Sequence, residues 1–443
     1  MTAAPVIAGV HAIAVRPGRP LSGSVSVDGS KNAALPLLAA AAAVRRPVQV
    51  DRVPAIGDVE HLLSMLAVGG FQITRPVDRA QAIVVRPGAR PDAGHPSFAQ
   101  AAAIRASYYL VPALLASFGQ ARLPWPGGCA IGDRGMDLHF DVYSAFGDAV
   151  AIDEYGYQVT ATPNVPTTVR IDLPFRSRGA SVVAVLRAIV SDTRLILGNP
   201  NQSPEFVGMC IALRAAGWQI DTDTGQLVLT PHPAEAPPRL AWTVAGDKVE
   251  AATLACAVAA TGGSARIEGV CGADVAPVAD ALNRLGIPTQ CVAEGLLVHA
   301  ADAHPTGAPL RAVASLEPGG LDADFEPALI ALALGQRGTH LFADDINPGR
   351  HGNLLPQLAR LGADIEELSP TRCRLTGPQK LVGARLAATD IRTGSAVLIA
   401  ALSAHGASTV TNLDQLRRGH PDLPAKLRQL GADITPIEVG VNR

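Results

Sequence analysis

The 443-residue sequence carries almost no net charge: 37 basic residues stand against 39 acidic ones, a formal balance of -2. That balance excludes the electrostatic footprint of a nucleic-acid or anionic-membrane binder, so any anion must be held locally. A long apolar run is also missing. The richest one, AALPLLAAAAAV at 33–44, is too short to cross a bilayer, and no basic stretch leads into an apolar one near the start. A cytoplasmic protein without nucleic-acid or membrane partners is expected. Neither GxGxxG nor a Walker A phrase occurs, and the histidines and six cysteines lack zinc-type spacing. No cofactor and no metal are therefore expected. Four or five of the cysteines (210, 256, 271, 291, 373) fall in apolar or strand-like contexts, where small thiols are commonly buried. Cys129 alone sits in a glycine-rich loop.

What the sequence does contain is a repeat. An apolar helical stretch, a glycine and a β-prone end recur as LLSMLAVGGFQI, VYSAFGDAVAI, CIALRAAGWQI, ALNRLGIPT, QLARLGADI and KLRQLGADI, which aligns Gly70, Gly147, Gly217, Gly286, Gly362 and Gly431. The spacing is too long for a solenoid unit and too regular to dismiss, the alternative being an ordinary α/β protein with coincidental Leu-Gly helix ends. A second helix–glycine–strand phrase, such as IALALGQRGTHLFADDI, precedes these, so each copy holds two helices and several strands. The chain is too long for one core. The Pro-rich PHPAEAPPRLAW (231–242) reads as an extended connector between copies one to three and four to six, giving an α/β protein of two domains with three units each.

Several phrases carry charge at the start of a helix. In DGSKN (28–32), Ser30 or Asn32 could cap the helix and Lys31 stands at its positive end, either solvated or holding an anion. WPGGCAIGDRGMDLH (125–139) places Cys129 on a flexible loop near Arg134, either a loop cysteine of no consequence or a thiol whose thiolate Arg134 favours. Asp137 and His139 there are helix-start residues or ligands of a base or phosphate. RSRGAS (176–181) sets Arg176 and Arg178 around Ser177, a phosphate nest or two surface arginines. In LDADFEPAL (321–329), Asp322 or Asp324 is a cap, or Asp324 faces a cleft and takes a hydroxyl proton. Arg392 in TDIRTGSAVLIAAL is a cation at a helix start, unhelpful to the fold and so a candidate for an anion site.

Taken together these phrases resemble the enolpyruvyl transferases, over almost the whole chain. GSKNAALPLLAA is similar to that family's GAKNAALP stretch, IRASYYLVPALLASFG to its RAS…GPLLARFG helix, PGGCAIGDRGMDLH to its PGGCxIGxRPxDLH loop, and TDIRTGSAVLIAAL to its DLRAxAxLVLA helix. The resemblance implies two inverse α/β domains of three βαβαββ units, with substrates in the cleft between them. Its boundaries are 1–30 plus 244–443 for one domain and 31–243 for the other. It implies transfer of the enolpyruvyl group of phosphoenolpyruvate to a hydroxyl of a uridine nucleotide, with release of phosphate. Cys129 matches the lid cysteine that acts as general acid and is the target of fosfomycin. Lys31, Arg134, Arg392 and Arg105 match the cations around phosphoenolpyruvate, with Lys31 also in the catalytic set. Asn32 and Asp324 match the residues at the acceptor hydroxyl, Asp324 as base. Asp137, Leu138 and His139, with Arg176, Ser177, Arg178 and Gly179, match the nucleotide site.

The departures from the family pattern fall on the acceptor side. SVGAT is here SRGAS, NAAREPE is NPNQSPE, the residue before the base is Ala323, and ENRFxHxxEL has become NPGRHGNLLPQL. Two added arginines suit a terminal, dianionic monophosphate, so the 3′-hydroxyl of UMP is the expected acceptor, as in nucleoside-antibiotic pathways. UDP-N-acetylglucosamine, as in peptidoglycan synthesis, is the alternative. The shikimate-type relatives share the fold but lack the PGGC phrase.

Overall fold

The computed structural model describes residues 12–88, 94–128, 135–223, 225–231 and 239–437. Their strands form six separate sheets, five of four strands and one of three, in keeping with six copies of one α/β unit. One sheet shows the pattern: Arg194–Gly198 runs parallel to Thr168–Asp172 and antiparallel to Gln226–Thr230, which forms a hairpin with Gln219–Asp223. Each unit also supplies an outer and an inner helix.

The outer helices are Gly57–Val68, Asp137–Ala145, Pro204–Ala215, Ala276–Arg284, Arg350–Arg360 and Leu423–Gln429. After each comes one of the six aligned glycines, and all six have φ between 83° and 108°. Only glycine takes that left-handed conformation without strain, which is why the repeat could be read from it. Inner helices are mostly apolar and buried on nearly every side, and they become core. Lys31–Ala43, Val111–Phe118 and Arg178–Ser191 belong to one cluster of buried apolar side chains, spanning 33–244. Lys248–Ala260, Glu326–Ala333 and Ile391–Ser403 belong to a second, formed by 13–27 and 249–434. The Ala-rich run is thus the centre of a core. No helix among the described residues is long and apolar enough to cross a membrane.

The chain passes between the clusters twice. Ser22–Ser26 pairs in parallel with Ser264–Glu268 of the second cluster, and Leu240–Thr243 with Val48–Asp51 of the first. The end of the Pro-rich segment is therefore a strand rather than an open connector, because Leu240 and Trp242 alternate inward and are buried. The cysteine expectation also needs correction. Cys210, Cys256 and Cys373 are buried and Cys291 half-buried, but Cys271 is exposed, because it precedes a short 3-10 turn instead of lying in a strand.

Candidate active site

Four inner helices begin at one cavity of about 800 Å³, and the 3-10 turns that lead into the other two also line it, so both clusters contribute. Lys31 and Asn32 open the first helix, and Arg105 the 3-10 turn that leads into the second. Arg178, Lys248 and Arg392 stand in the first turns of three more, and Asp324 lies in the 3-10 turn before Glu326. Converging helix N-termini present unsatisfied N–H groups and positive dipole ends, a setting for a multiply charged anion. The caps are separate residues: Ser30, Ser177, Asp247, Asp322 and Asp390 each accept from a backbone N–H two or three residues on. That leaves Asn32 and Asp324 free to meet across the cavity, with Asn32 Nδ2 3.3 Å from Asp324 Oδ2.

Of the residues singled out in the sequence, Lys31, Asn32, Arg105, Asp324 and Arg392 line this cavity, as do Asp137, Leu138, His139, Arg176, Ser177, Arg178 and Gly179. Cys129 and Arg134 lie outside the described residues; Gly128 and Gly135, which flank that segment, border the cavity.

Asp324 is the electrostatic centre. Arg350 donates to its Oδ1 at 2.8 Å and Arg392 to its Oδ2 at 2.9 Å. Burial alone would raise its pKa, but Arg392 and then Arg350 hold it well below the usual carboxylate range. A second carboxylate, Asp58, gathers Lys31 at 3.4 Å and Arg418 at 3.0 Å. Towards the other end, Lys248 lies 2.8 Å from Asp322 and 3.3 Å from Glu205, and Arg178 lies 3.7 Å and 3.8 Å from the same pair. Arg176 pairs with Glu317 at 3.1 Å. The two added arginines therefore already have acidic partners, and a phosphate must share or displace them.

Arg350, Arg418, Lys248, Glu205 and Asp58 were not singled out in the sequence. One signal was available for Lys248: GDKVEAATLACA repeats the layout of GSKNAALPLLAA, so the internal repeat sets it opposite Lys31. Arg350 opens an outer helix and Arg418 follows the short helix Leu413–Arg417 as its C-cap, and neither carries a comparable mark.

His139 is buried against the start of the helix that opens with Arg178. A Cβ on Gly179 would come 2.4 Å from its Nε2, so glycine is required there. Burial, and then Arg105, lowers its pKa to about 4, and neither ring nitrogen has a hydrogen-bond partner among the described residues. The unfolded chain takes up this proton near pH 6.5, the folded one near 4. Stability is therefore expected to fall as pH drops through that window, by about 3 kcal/mol for this group. Glu250, pushed up to about 7 by burial, acts with the opposite sign, losing stability as pH rises from its unfolded value near 4.5 through 7. The readout is thus the difference between wild type and His139→Gln in denaturation midpoints at pH 4.5 and 7. Parallel curves would show that His139 is not buried neutral.

A cavity ringed by arginines and lysines, with a carboxylate at its centre and helix starts around it, is a setting for multiply charged anions within an α/β fold. Residues 15–427 match the family of EPSP synthase (3-phosphoshikimate 1-carboxyvinyltransferase), and the chain belongs to this enolpyruvyl transferase family. It is 33% identical to UDP-N-acetylglucosamine 1-carboxyvinyltransferase 2 of Mesorhizobium japonicum, over 94% of this chain and 97% of that one. With the Sphingopyxis alaskensis UDP-N-acetylglucosamine 1-carboxyvinyltransferase it shares 31%, over 97% and 99%. Its fold is that of the enolpyruvyl transferase NikO from Streptomyces tendae, with TM-score 0.81 and 24% identity over 96% of this chain and 99% of that one. The Acinetobacter baumannii EPSP synthase follows at TM-score 0.71 and 17% identity, with the same coverage. The inverse α/β architecture and the transferase class expected from the resemblance both hold.

Proposed function

We propose that this transferase moves the enolpyruvyl group of phosphoenolpyruvate to the 3′-hydroxyl of UMP, releasing phosphate. The observation that carries the acceptor is Arg176 and Arg178 on either side of Ser177, at a helix start inside the cavity. Paired guanidinium groups over helical N–H groups suit a dianionic terminal phosphate. Residues 1–30 plus 244–443 and 31–243 act as two domains around the cleft.

Asp324 takes the acceptor hydroxyl proton as the oxygen attacks C2 of phosphoenolpyruvate. Cys129 gives a proton to C3. The resulting tetrahedral adduct loses phosphate from C2 and a proton from C3, restoring the double bond. Lys31, Arg105, Arg134 and Arg392 hold the phosphate and carboxylate as oxocarbenium character develops. Arg392 is bound to Asp324 and weakens it as a base. A substrate anion that draws Arg392 away raises the basicity of Asp324, so the base is activated where the electrophile is bound.

A second reading, with UDP-N-acetylglucosamine as acceptor, is favoured by the names of the whole-length relatives at 31–33% identity. Phosphate release from phosphoenolpyruvate, measured with UMP and with UDP-N-acetylglucosamine and followed by mass spectrometry, separates them. Release with UMP and an adduct on the ribose is expected, and release with the UDP-sugar alone overturns the UMP reading. Arg178→Val is expected to lower kcat/KM for UMP about 10- to 100-fold, the loss of one charged hydrogen bond, with the KM for phosphoenolpyruvate unchanged. An equal loss for both substrates would remove Arg178 from the acceptor phosphate.

A further inference from the structure

Arg392 is 7% exposed and lies in the first turn of its helix, where the dipole disfavours a cation. Two acceptors fix its guanidinium. Nη2 donates to Asp324, the bond that substrate draws away in the mechanism above; Nη1 lies 3.3 Å from Nε2 of His420. His420 is 1% exposed and outside the lining of the cavity, so it touches no substrate. Gly419 brings it there: a Cβ at that position would lie 2.7 Å from Cγ2 of Ile391, the residue before Arg392. An arginine N–H needs a lone pair on Nε2, which sets the imidazole as neutral with its proton on Nδ1.

Behind the imidazole stands a closed set of charges. Nδ1 of His420 faces Oε1 of Glu250 at 3.9 Å, and neither atom has a hydrogen-bond partner among the described residues. The other carboxylate oxygen of Glu250 accepts from Lys426 Nζ at 2.6 Å and from the Asp28 N–H at 2.9 Å, and Lys426 also meets Asp28 at 2.7 Å. Glu250 is fully buried, so this backing is fixed while the Asp324 side is exchangeable.

We propose that His420, backed by Glu250 and Lys426, is the positioning residue that keeps Arg392 aimed at phosphoenolpyruvate when its bond to Asp324 is released. Burial first, then Arg392, Lys426 and Lys31, hold the His420 pKa well below its ordinary value, which keeps Nε2 an acceptor at neutral pH. The inference rests on the assignment of Arg392 to phosphoenolpyruvate.

Steady-state kinetics on the full chain test it with four variants. Arg392→Met first checks the underlying assignment: an unchanged KM for phosphoenolpyruvate would remove Arg392 from that substrate, whatever His420 does. Given a raised KM there, His420→Leu and His420→Asn, which lack an acceptor at the Nε2 position, are expected to raise the KM for phosphoenolpyruvate about tenfold or more. Their KM for the acceptor should stay within about twofold, far below the cost of a lost charged hydrogen bond. His420→Gln, whose amide oxygen reaches that position, is expected to restore the phosphoenolpyruvate KM to within about threefold of wild type, a residual smaller than the bond itself. The proposal is overturned if leucine and asparagine leave the phosphoenolpyruvate KM unmoved. It is equally overturned if all three variants raise both KM values together and lower the melting temperature alike, the signature of packing alone. Should the leucine variant fail to fold, the asparagine–glutamine contrast carries the same decision.

Discussion

Replacing Asp324 by asparagine is expected to lower kcat by about 10²- to 10⁴-fold, the range a positioned general base supplies, while phosphoenolpyruvate binds at least as tightly as before. The two halves of that result come from one geometry. Asp324 shares Arg392 at 2.9 Å and Asn32 at 3.3 Å, so its carboxylate competes with the substrate anion for the same guanidinium. Asparagine keeps the shape and removes the charge, which frees Arg392 for phosphoenolpyruvate and leaves nothing to take the hydroxyl proton. Single-turnover phosphate release gives the first quantity, and equilibrium binding of phosphoenolpyruvate the second. A kcat within about tenfold of wild type, below the range for a general base, would take the base role from Asp324. Weakened phosphoenolpyruvate binding with low kcat would mean that Asp324 orients Arg392 instead of competing for it.

The repeat and the inner helix starts were legible because both are local. A left-handed glycine after an outer helix and a polar cap before an apolar helix leave marks within a few residues, and six copies multiply them. Lys31, Arg178 and Arg392 could be picked out because each is a cation where the dipole gives the fold no use for one. Partners were not legible, since they depend on which helix starts meet. Arg418 pairs with Asp58 across 360 residues, and Asn32 meets Asp324 across 292. No spacing rule spans such distances. The same limit explains the reading of SRGAS: the phrase shows two added positive charges, but Glu317, Glu205 and Asp322, which oppose them, come from other segments. Cys271 shows a smaller version of the problem, its exposure set by a 3-10 turn that the apolar context did not reveal.

Arg350→Leu is expected to cost about 3–5 kcal/mol of stability, the range for breaking a buried ion pair from one side, and to lower kcat as well. Arg350 is 1% exposed; its fork reaches Asp324 at 2.8 Å and the Ala323 carbonyl, and its Nε lies 3.5 Å from Asp344. Asp344, also 1% exposed, accepts from the backbone N–H of Ile346 and Asn347 and from the Asn347 side chain. Leucine fills a similar space but strips a cation from between two carboxylates, so the loss is mainly that of leaving Asp324 and Asp344 closer to unpaired. Asp324 keeps Arg392 and Asn32, so it does not become isolated, yet it loses the partner that substrate does not take. Its position then depends on a guanidinium that, in the mechanism proposed above, leaves when phosphoenolpyruvate binds, so kcat is expected to fall together with stability. Arg350→Lys separates the two effects: it retains the charge and loses the two-pronged geometry, so stability should recover more than kcat. Urea denaturation and steady-state rates on the same preparations make the comparison. An unchanged denaturation midpoint for the leucine variant would show that Arg350 does not hold these carboxylates together, and a lysine variant with wild-type kcat would show that charge alone, rather than the fork, sets Asp324.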